Sequence, residues 1–488
     1  MGKRTSKKKL VRATAPTPSR LGFTMPGGGA WPRMPVHPEW RGTSMQVCGL
    51  WPFGIGAGAP MIGVPLGTNL LSGSTVCFDP ISWFQRASLI SNPSAFVLGL
   101  PGLGKSTIVR RMITGLEAFG THTMVLGDLK PDHVSLIAAL GGQVISVGHG
   151  YGALNPLDLT SVRQACAQLP KNVATSLMSE AKARQLDLLM GLVQLVRRNR
   201  PSERDHLIVS RALSVLNDRS ESQIVISDVL DVIREAPTEI REVAMDRGDM
   251  SRYRQVTEDI EISLMTLSSG VFGEVFGRKT TTSMRLDRSV VFDISSMNDL
   301  DTGLKAATLL VCWSYGFSQV DLAHTLSEHG LAPQRQYLLV MDEAWQVMRA
   351  GDGMVDRIDA LTRLNRAKGV GNIMITHTMK DLESLPLPED RMKAKGFIER
   401  AGAVIMGGLP GSDLASFEEV MSLSGKERDM VASWSSPPSW DSKRGEVAAP
   451  PGQGKFLIKV GGRPGIPTQV RLTHYEREVN DTNLRWHP

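Results

Sequence analysis

From Ala95 onward the chain alternates short apolar runs with longer stretches of helical spacing. The runs are Ala95–Leu98, Thr123–Leu126, Val144–Val147, Val290–Phe292, Tyr337–Met341, Ile373–Ile375 and Ala403–Met406, each bounded by polar or turn residues. Continuous apolar runs of this length predict strands buried on both faces, as in a parallel sheet covered by helices. The expected fold class is therefore α/β with a mainly parallel sheet. Between the third and fourth runs the texture changes. Residues 160–268 are charged and helical in pattern, and Leu186, Leu189, Met190, Val193 and Val196 recur at i, i+3, i+4, i+7 and i+10. That spacing is one apolar stripe on a helix. It predicts an all-helical subdomain at 160–268, inserted into a core built from 95–159 and 269–475.

The flanks read differently. Residues 45–94 predict a short β-rich lead-in. Ser433–Gly454, with Pro437-Pro438, Pro450-Pro451 and two Trp, reads as a loop. Lys455–Val460 and Thr468–Leu472 then predict a terminal hairpin, and 476–488 a C-terminal tail. Residues 1–44 are basic and rich in Pro and Gly, which predicts a disordered tail.

Composition narrows the class. The chain has 488 residues, 41% hydrophobic and 21% charged. At roughly 100–200 residues per domain this allows two to four units with a large core, and it excludes wholesale disorder. Four cysteines (Cys48, Cys77, Cys166, Cys312) form no CxxC pair. They give no disulfide scaffold, zinc ribbon or thioredoxin-type site, and suit a reducing compartment. Residues 1–40 hold eight Lys/Arg and one acid, a net of +7 against +6 for the whole chain, so the body is near neutral. Such a tail can meet DNA phosphates or an anionic membrane surface, or simply remain solvated. The longest uncharged stretch, Gly42–Phe78, carries eight Gly and three Pro, which does not suit a membrane helix. No apolar segment follows the N-terminal lysines as in a signal peptide. These features predict a cytoplasmic protein, peripheral at most to the inner face of the plasma membrane.

The strongest chemical signal is Gly99-Leu100-Pro101-Gly102-Leu103-Gly104-Lys105-Ser106, which satisfies GxxxxGK[ST]. An expected strand precedes it and a helical run, Thr107–Leu116, follows. Glycines there let backbone N–H groups curl round a phosphate at a helix N-terminus. The expected phosphate-binding set is Gly99, Pro101, Gly102, Leu103, Gly104, Lys105, Ser106 and Thr107. Lys105 would reach the β- and γ-phosphates and Ser106 would ligate Mg²⁺. The run Tyr337–Met341 ends in Asp342-Glu343. Acids at the carboxyl end of a parallel strand lie where ligands bind. Asp342 is expected to hold Mg²⁺ through water, and Glu343 to orient and deprotonate the attacking water. Ile373–Ile375 leads to Thr376-His377, either of which would sit near a γ-phosphate as a sensor. Arg363 to Gly369 is a basic helix end. Arg366, with Arg363 second, is a candidate for supply to a neighbouring subunit's nucleotide, which would make the protein act as a ring.

These motifs occur in a familiar order. The P-loop is followed by Gly127-Asp128-Leu129-Lys130-Pro131-Asp132-His133, Leu154-Asn155-Pro156-Leu157-Asp158, Phe292-Asp293-Ile294-Ser295 and Asp342-Glu343-Ala344-Trp345. With the lead-in Ile62-Gly63-Val64-Pro65-Leu66-Gly67 and Phe78-Asp79-Pro80, and the Arg363–Gly369 element, the chain resembles the conjugative motor ATPases of type IV secretion. These are the TraC/VirB-type proteins of the HerA/FtsK superfamily, and the likeness, over about residues 45–475, is closest to shortened actinobacterial members. The resemblance implies a RecA-like P-loop NTPase core with an all-helical insertion, and ATP with Mg²⁺ as ligands. It implies a homo-hexamer that hydrolyses ATP at its subunit interfaces, and type IV secretion or conjugation channel components as partners. It also implies work on DNA or protein transfer, or on channel assembly. The chain departs from the family pattern in three places. Only about 90 residues precede the P-loop, where the family is expected to carry a large N-terminal domain that docks on the channel; His377 stands where the sensor strand carries Gln, and Asp132-His133 stands for Glu-Tyr. Two alternatives remain open: a cytoplasmic FtsK/HerA-like double-stranded DNA translocase, and a nucleotide-gated scaffold with little turnover.

Overall fold

The computed structural model describes residues 60–219, 223–297, 301–349, 354–363, 369–385, 387–441, 446–447 and 449–479, apart from the side chains of 360–363, 441 and 446–447. The expected basic tail at 1–44, the start of the lead-in, Arg366 and most of the C-terminal tail lie outside these residues, as does the side chain of Arg363.

In chain order the strands are β1 (Pro65–Asn69), β2 (Thr75–Cys77), β3 (Ser94–Leu98), β4 (Thr121–Asp128), β5 (Gln143–Ser146), β6 (Val290–Asp293), β7 (Gln336–Met341), β8 (Val370–Ile375), β9 (Ala403–Met406), β10 (Trp440–Asp441), β11 (Glu446–Val447), β12 (Lys455–Lys459) and β13 (Ile466–Val470). All but the small β10–β11 hairpin join one sheet, in the order β2-β1-β13-β12-β9-β3-β8-β7-β4-β6-β5. The seven strands from β9 to β5 pair in parallel, and β12, β13, β1 and β2 add an antiparallel flank. Each of the seven apolar runs coincides with one of the parallel strands, except that Val147 lies just past the end of β5. Their carboxyl ends share one edge, so Gly99, Asp128, Asp342 and Thr376 all emerge there.

Both faces of the sheet are covered, which is why these runs read as continuous apolar rather than alternating. Phe96, Leu98, Met124, Leu126, Leu339 and Met341 face one core. Ala95, Val97, Val125, Leu338, Val340, Ile373 and Ile375 face the other, with the helix Lys105–Ala118. The first core continues without a break into the helical insertion. Among the described residues, seven helices lie between β5 and β6: Thr160–Cys166, Lys171–Arg197, Glu203–Arg219, Ile226–Glu235, Thr238–Ala244, Met250–Ser268 and Gly270–Phe276. On the second of these, Leu189, Met190 and Val193 are buried, with Leu186 and Val196 partly so. Each fully buried side chain of this kind contributes about 1.5–3 kcal/mol.

The bridge between sheet and insertion is the 27-residue helix Thr302–Glu328. It packs on β4 so closely that a Cβ on Gly316 would meet Leu126 Cδ2 at 2.3 Å. The helix is apolar nearly all round, so its sequence has no stripe to mark it. Smaller departures from expectation are local. The lead-in also holds the helix Pro80–Gln85, whose N-cap Asp79 accepts the Ser82 N–H at 2.6 Å. The P-loop helix begins at Lys105 rather than Thr107. The expected loop at Ser433–Gly454 starts inside the helix Gly425–Trp434. Among the described residues no helix is long and apolar enough to cross a membrane.

Candidate nucleotide-binding site

The loop after β3 is held open by backbone conformation. Gly99, Gly102 and Gly104 have φ of +155°, +77° and +100°, values an L side chain rarely adopts. A Cβ on Gly99 would lie 3.0 Å from Gly407 Cα, because the loop runs against the segment after β9. Hydrogen bonds sew it there: Leu100 N–H donates to the Gly408 carbonyl at 3.0 Å, and Gly99 N–H to the His377 carbonyl at 2.9 Å. Gly454 N–H donates to the Leu103 carbonyl at 2.9 Å, so the antiparallel flank also supports the loop. Gly104 is the N-cap of the helix that follows, whose first N–H groups have no intrahelical partner. Pro101 and Gly102 are exposed, Leu103 is buried, and Thr107 is half-buried beside Ser106.

Lys105 lies at the first helical position and is 7% exposed. Its ammonium donates to the Gly99 carbonyl at 2.7 Å, the Leu100 carbonyl at 3.3 Å and His377 Nδ1 at 3.0 Å. Burial lowers its pKa to about 8, while Asp342 and Glu343 act to keep it charged. His377 then bridges to Glu343, with Nε2 3.1 Å from Oε1. A lysine ammonium can only donate, so His377 Nδ1 accepts and Nε2–H donates to the carboxylate. The result is a directed chain, Lys105 to His377 to Glu343. β8 lies between β3 and β7, which brings the three residues together from three strands.

Glu343 is clamped from several sides. Trp345 Nε1–H donates to Oε2, and Lys130 Nζ stands 3.8 Å from Oε1. Burial alone would raise its pKa, but the His377 and Trp345 hydrogen bonds and the Lys130 charge hold it below the usual glutamate value. Asp342 moves the other way. Burial, then the neighbouring Glu343, push it up to about 7. Two adjacent acids with pKa values driven apart can take different roles. Glu343 also has φ of +53°, a left-handed conformation rarely adopted outside glycine and costing about 1–3 kcal/mol.

Of the sensor candidates, the structure brings His377 to the site. Thr376 is buried, with its hydroxyl 3.4 Å from Asp381. Ser106 Oγ donates to Asp132 Oδ2 at 2.9 Å. Lys130, Asp132, Trp345 and Asp381 belong to the site or its support, and sequence reasoning gave none of them a role. Asp381 carried a readable signal: Thr378-x-x-Asp381 is a capping box. Its carboxylate accepts the His377 and Thr378 N–H groups at 3.2 and 2.9 Å, fixing the turn that aims His377.

A hydroxyl and one carboxylate beside a phosphate cradle form a hard-oxygen donor set. That suits Mg²⁺, which keeps several waters and takes the rest of its ligands from phosphate. Ser106 and Asp342 fit this description.

Together these features define a P-loop α/β nucleotide-binding fold. Among solved structures, VirB4 of Thermoanaerobacter pseudethanolicus is similar, with a TM-score of 0.65 and 17% identity over 86% of this chain and 100% of that one. The bacterial conjugative coupling protein TrwB, in its ΔN70 form with sulphate, matches with a TM-score of 0.48 and 12% identity over 78% of this chain and 85% of that one. Plasmid coupling protein TrwB in complex with ADP and Mg²⁺ matches with a TM-score of 0.46 and 12% identity over the same shares. No family model and no curated protein sequence matches the chain. The likeness to VirB4 establishes a shared fold.

Proposed function

We propose that the chain is an ATP-hydrolysing motor of the conjugative, type IV secretion kind, powering DNA or protein transfer or channel assembly. The observation that carries this reading is the hydrogen-bonded chain from Lys105 through His377 to Glu343, set on a VirB4-like fold. It links the residue expected to hold the γ-phosphate to the residue expected to direct the water.

The geometry supports the following residue roles. Backbone N–H groups of Gly102–Thr107 cradle the phosphates, and Lys105 exchanges its neutral acceptors for phosphate oxygens. Ser106 and Asp342 would hold Mg²⁺, which when bound would neutralise charge on the phosphates. Glu343, kept ionised, orients the attacking water. As the water oxygen bonds to the γ-phosphorus, the bond to the β–γ bridging oxygen breaks and its electron pair leaves on ADP. The water's proton passes to the Glu343 carboxylate. When Lys105 turns to phosphate, His377 loses its donor at Nδ1, so phosphate occupancy reaches Glu343 through one imidazole. Arg366, with Arg363 as second candidate, is proposed to act on a neighbouring subunit's nucleotide in a homo-hexameric ring. We place the protein in the cytoplasm at the inner face of the membrane, beside channel components, with the basic N-terminal tail contacting DNA or anionic lipid.

The test is phosphate release from Mg-ATP by the full chain, with and without double-stranded DNA, using Glu343→Gln as the blank. Release above the blank and indifferent to DNA supports a secretion-channel ATPase. Strong stimulation by DNA, steeply weakened by salt, moves the reading to a DNA translocase. Release no greater than the blank overturns the motor reading in favour of a nucleotide-gated scaffold.

A further inference from the structure

A P-loop serine that ligates a metal must direct its own proton away from the ion. A hydroxyl has one proton and two acceptor lone pairs, and only the lone pairs can face a cation. In this chain the Ser106 proton has a defined destination, Asp132 Oδ2 at 2.9 Å. We propose that Asp132 is a positioning residue for Ser106, turning the serine lone pairs toward Mg²⁺ and so setting metal affinity rather than nucleotide affinity. This rests on the Mg-ATP reading above.

The surroundings show how Asp132 is placed. Asp128 ends β4 and is buried, and its carboxylate accepts the His133 N–H at 2.7 Å and the Asp132 N–H at 3.3 Å. The turn 129–133 is thus wound round one acid, and the wholly buried His133 ring anchors its far side. Arg110 lies four residues after Ser106 on the same helix face. Its buried guanidinium donates to Ser135 Oγ at 3.3 Å and to the Val479 carbonyl, and its charge faces Asp128 and Asp132. Two aspartates are therefore tolerated beside each other at the start of a phosphate-binding helix. A carboxylate with no purpose beyond the helix dipole would need no contact with the Ser106 hydroxyl.

Residues that orient a metal ligand from behind typically change metal affinity about 10–100-fold when removed. The experiment is equilibrium binding of a fluorescent ADP analogue to the full chain, titrated with Mg²⁺ and repeated in EDTA, with Mn²⁺ binding followed by electron paramagnetic resonance. For Asp132→Ala we expect the half-saturating metal concentration to rise by about tenfold or more, with nucleotide affinity in EDTA unchanged. Asp132→Asn keeps a carbonyl acceptor and should recover part of the loss; it carries the test if the alanine variant does not fold. An unchanged metal requirement in both variants overturns the proposal. So does an equal loss of nucleotide affinity with and without metal, which would mark Asp132 as a support of the loop alone. If the unaltered protein binds the analogue with no dependence on Mg²⁺, the Mg-ATP reading itself falls, and this inference with it.

Discussion

Two buried lysines sit beside opposite halves of the sheet and are satisfied in opposite ways. Lys459 ends β12 in the antiparallel flank and is 3% exposed. It reaches both oxygens of Glu427, at 3.0 and 3.1 Å. Glu427 also accepts the Ser424 N–H at 2.7 Å and the Gly465 N–H at 2.6 Å, tying the helix Gly425–Trp434 to the hairpin. Lys105, in the parallel half, is nearly as buried, yet its hydrogen-bond partners are two carbonyls and an imidazole. A buried cation closed by its own carboxylate is a structural part, because breaking the pair strands a charge. One held by neutral acceptors keeps a charge that an incoming anion can satisfy better. Burial depth alone does not separate the two; the charge of the partners does.

The largest expected effects test the half that carries the proposed site. Lys105→Met should lower ATP hydrolysis by about 10²–10³-fold or more, while its midpoint in urea denaturation stays level or rises. Glu343→Gln should lower turnover by about 10²–10⁴-fold with nucleotide affinity retained in a direct binding titration. A matching loss of stability in Lys105→Met would erase the contrast between the two lysines.

Next is the structural half. Lys459→Met leaves Glu427 buried without its partner and should cost about 3–5 kcal/mol in urea unfolding. Nucleotide affinity of the folded fraction should not change, and a specific loss of binding at full stability would contradict the structural role. Smaller again is Gly99→Ala. With φ of +155° and Gly407 Cα 3.0 Å from the new Cβ, it should cost about 1–3 kcal/mol of stability and weaken nucleotide binding.

The smallest effect is in pH. Lys105, at about 8, loses its proton as pH rises through that value, and phosphate binding should weaken above it. Asp342, at about 7, gains a proton as pH falls through that value, and metal-dependent turnover should weaken below it. The pH profile of kcat/KM should therefore be a bell with its top between about 7 and 8, since it reports the free enzyme. In Lys105→Met the residual activity should lose the alkaline limb.

Much of the fold was legible because a strand buried on both faces leaves an unambiguous apolar run. The helix Thr302–Glu328 was not, since a helix covered on every side has the same uniform apolarity and no stripe. In the site, the P-loop, Asp342 and Glu343 were found because their spacing along the chain is itself the signal. Trp345 and Asp132 stood inside quoted motifs with no role attached. Nothing in a linear sequence says that Trp345 donates to Glu343, or that Asp132 receives the Ser106 proton.

The sequence by itself determined what is local: the glycines that allow positive φ, the existence of a helix after the P-loop, the strands, and the acids at a strand's end. Each depends on neighbours within a few residues, where backbone sterics and periodicity act. The tertiary structure alone decided the strand order β3-β8-β7, which sets His377 between Lys105 and Glu343 although 272 residues separate it from the lysine. It also decided which buried lysine met a carboxylate and which met only neutral oxygens and a ring nitrogen. Those outcomes follow from how strands far apart in the chain pack side by side, and hydrogen bonds form between whatever side chains that packing brings within about 3 Å.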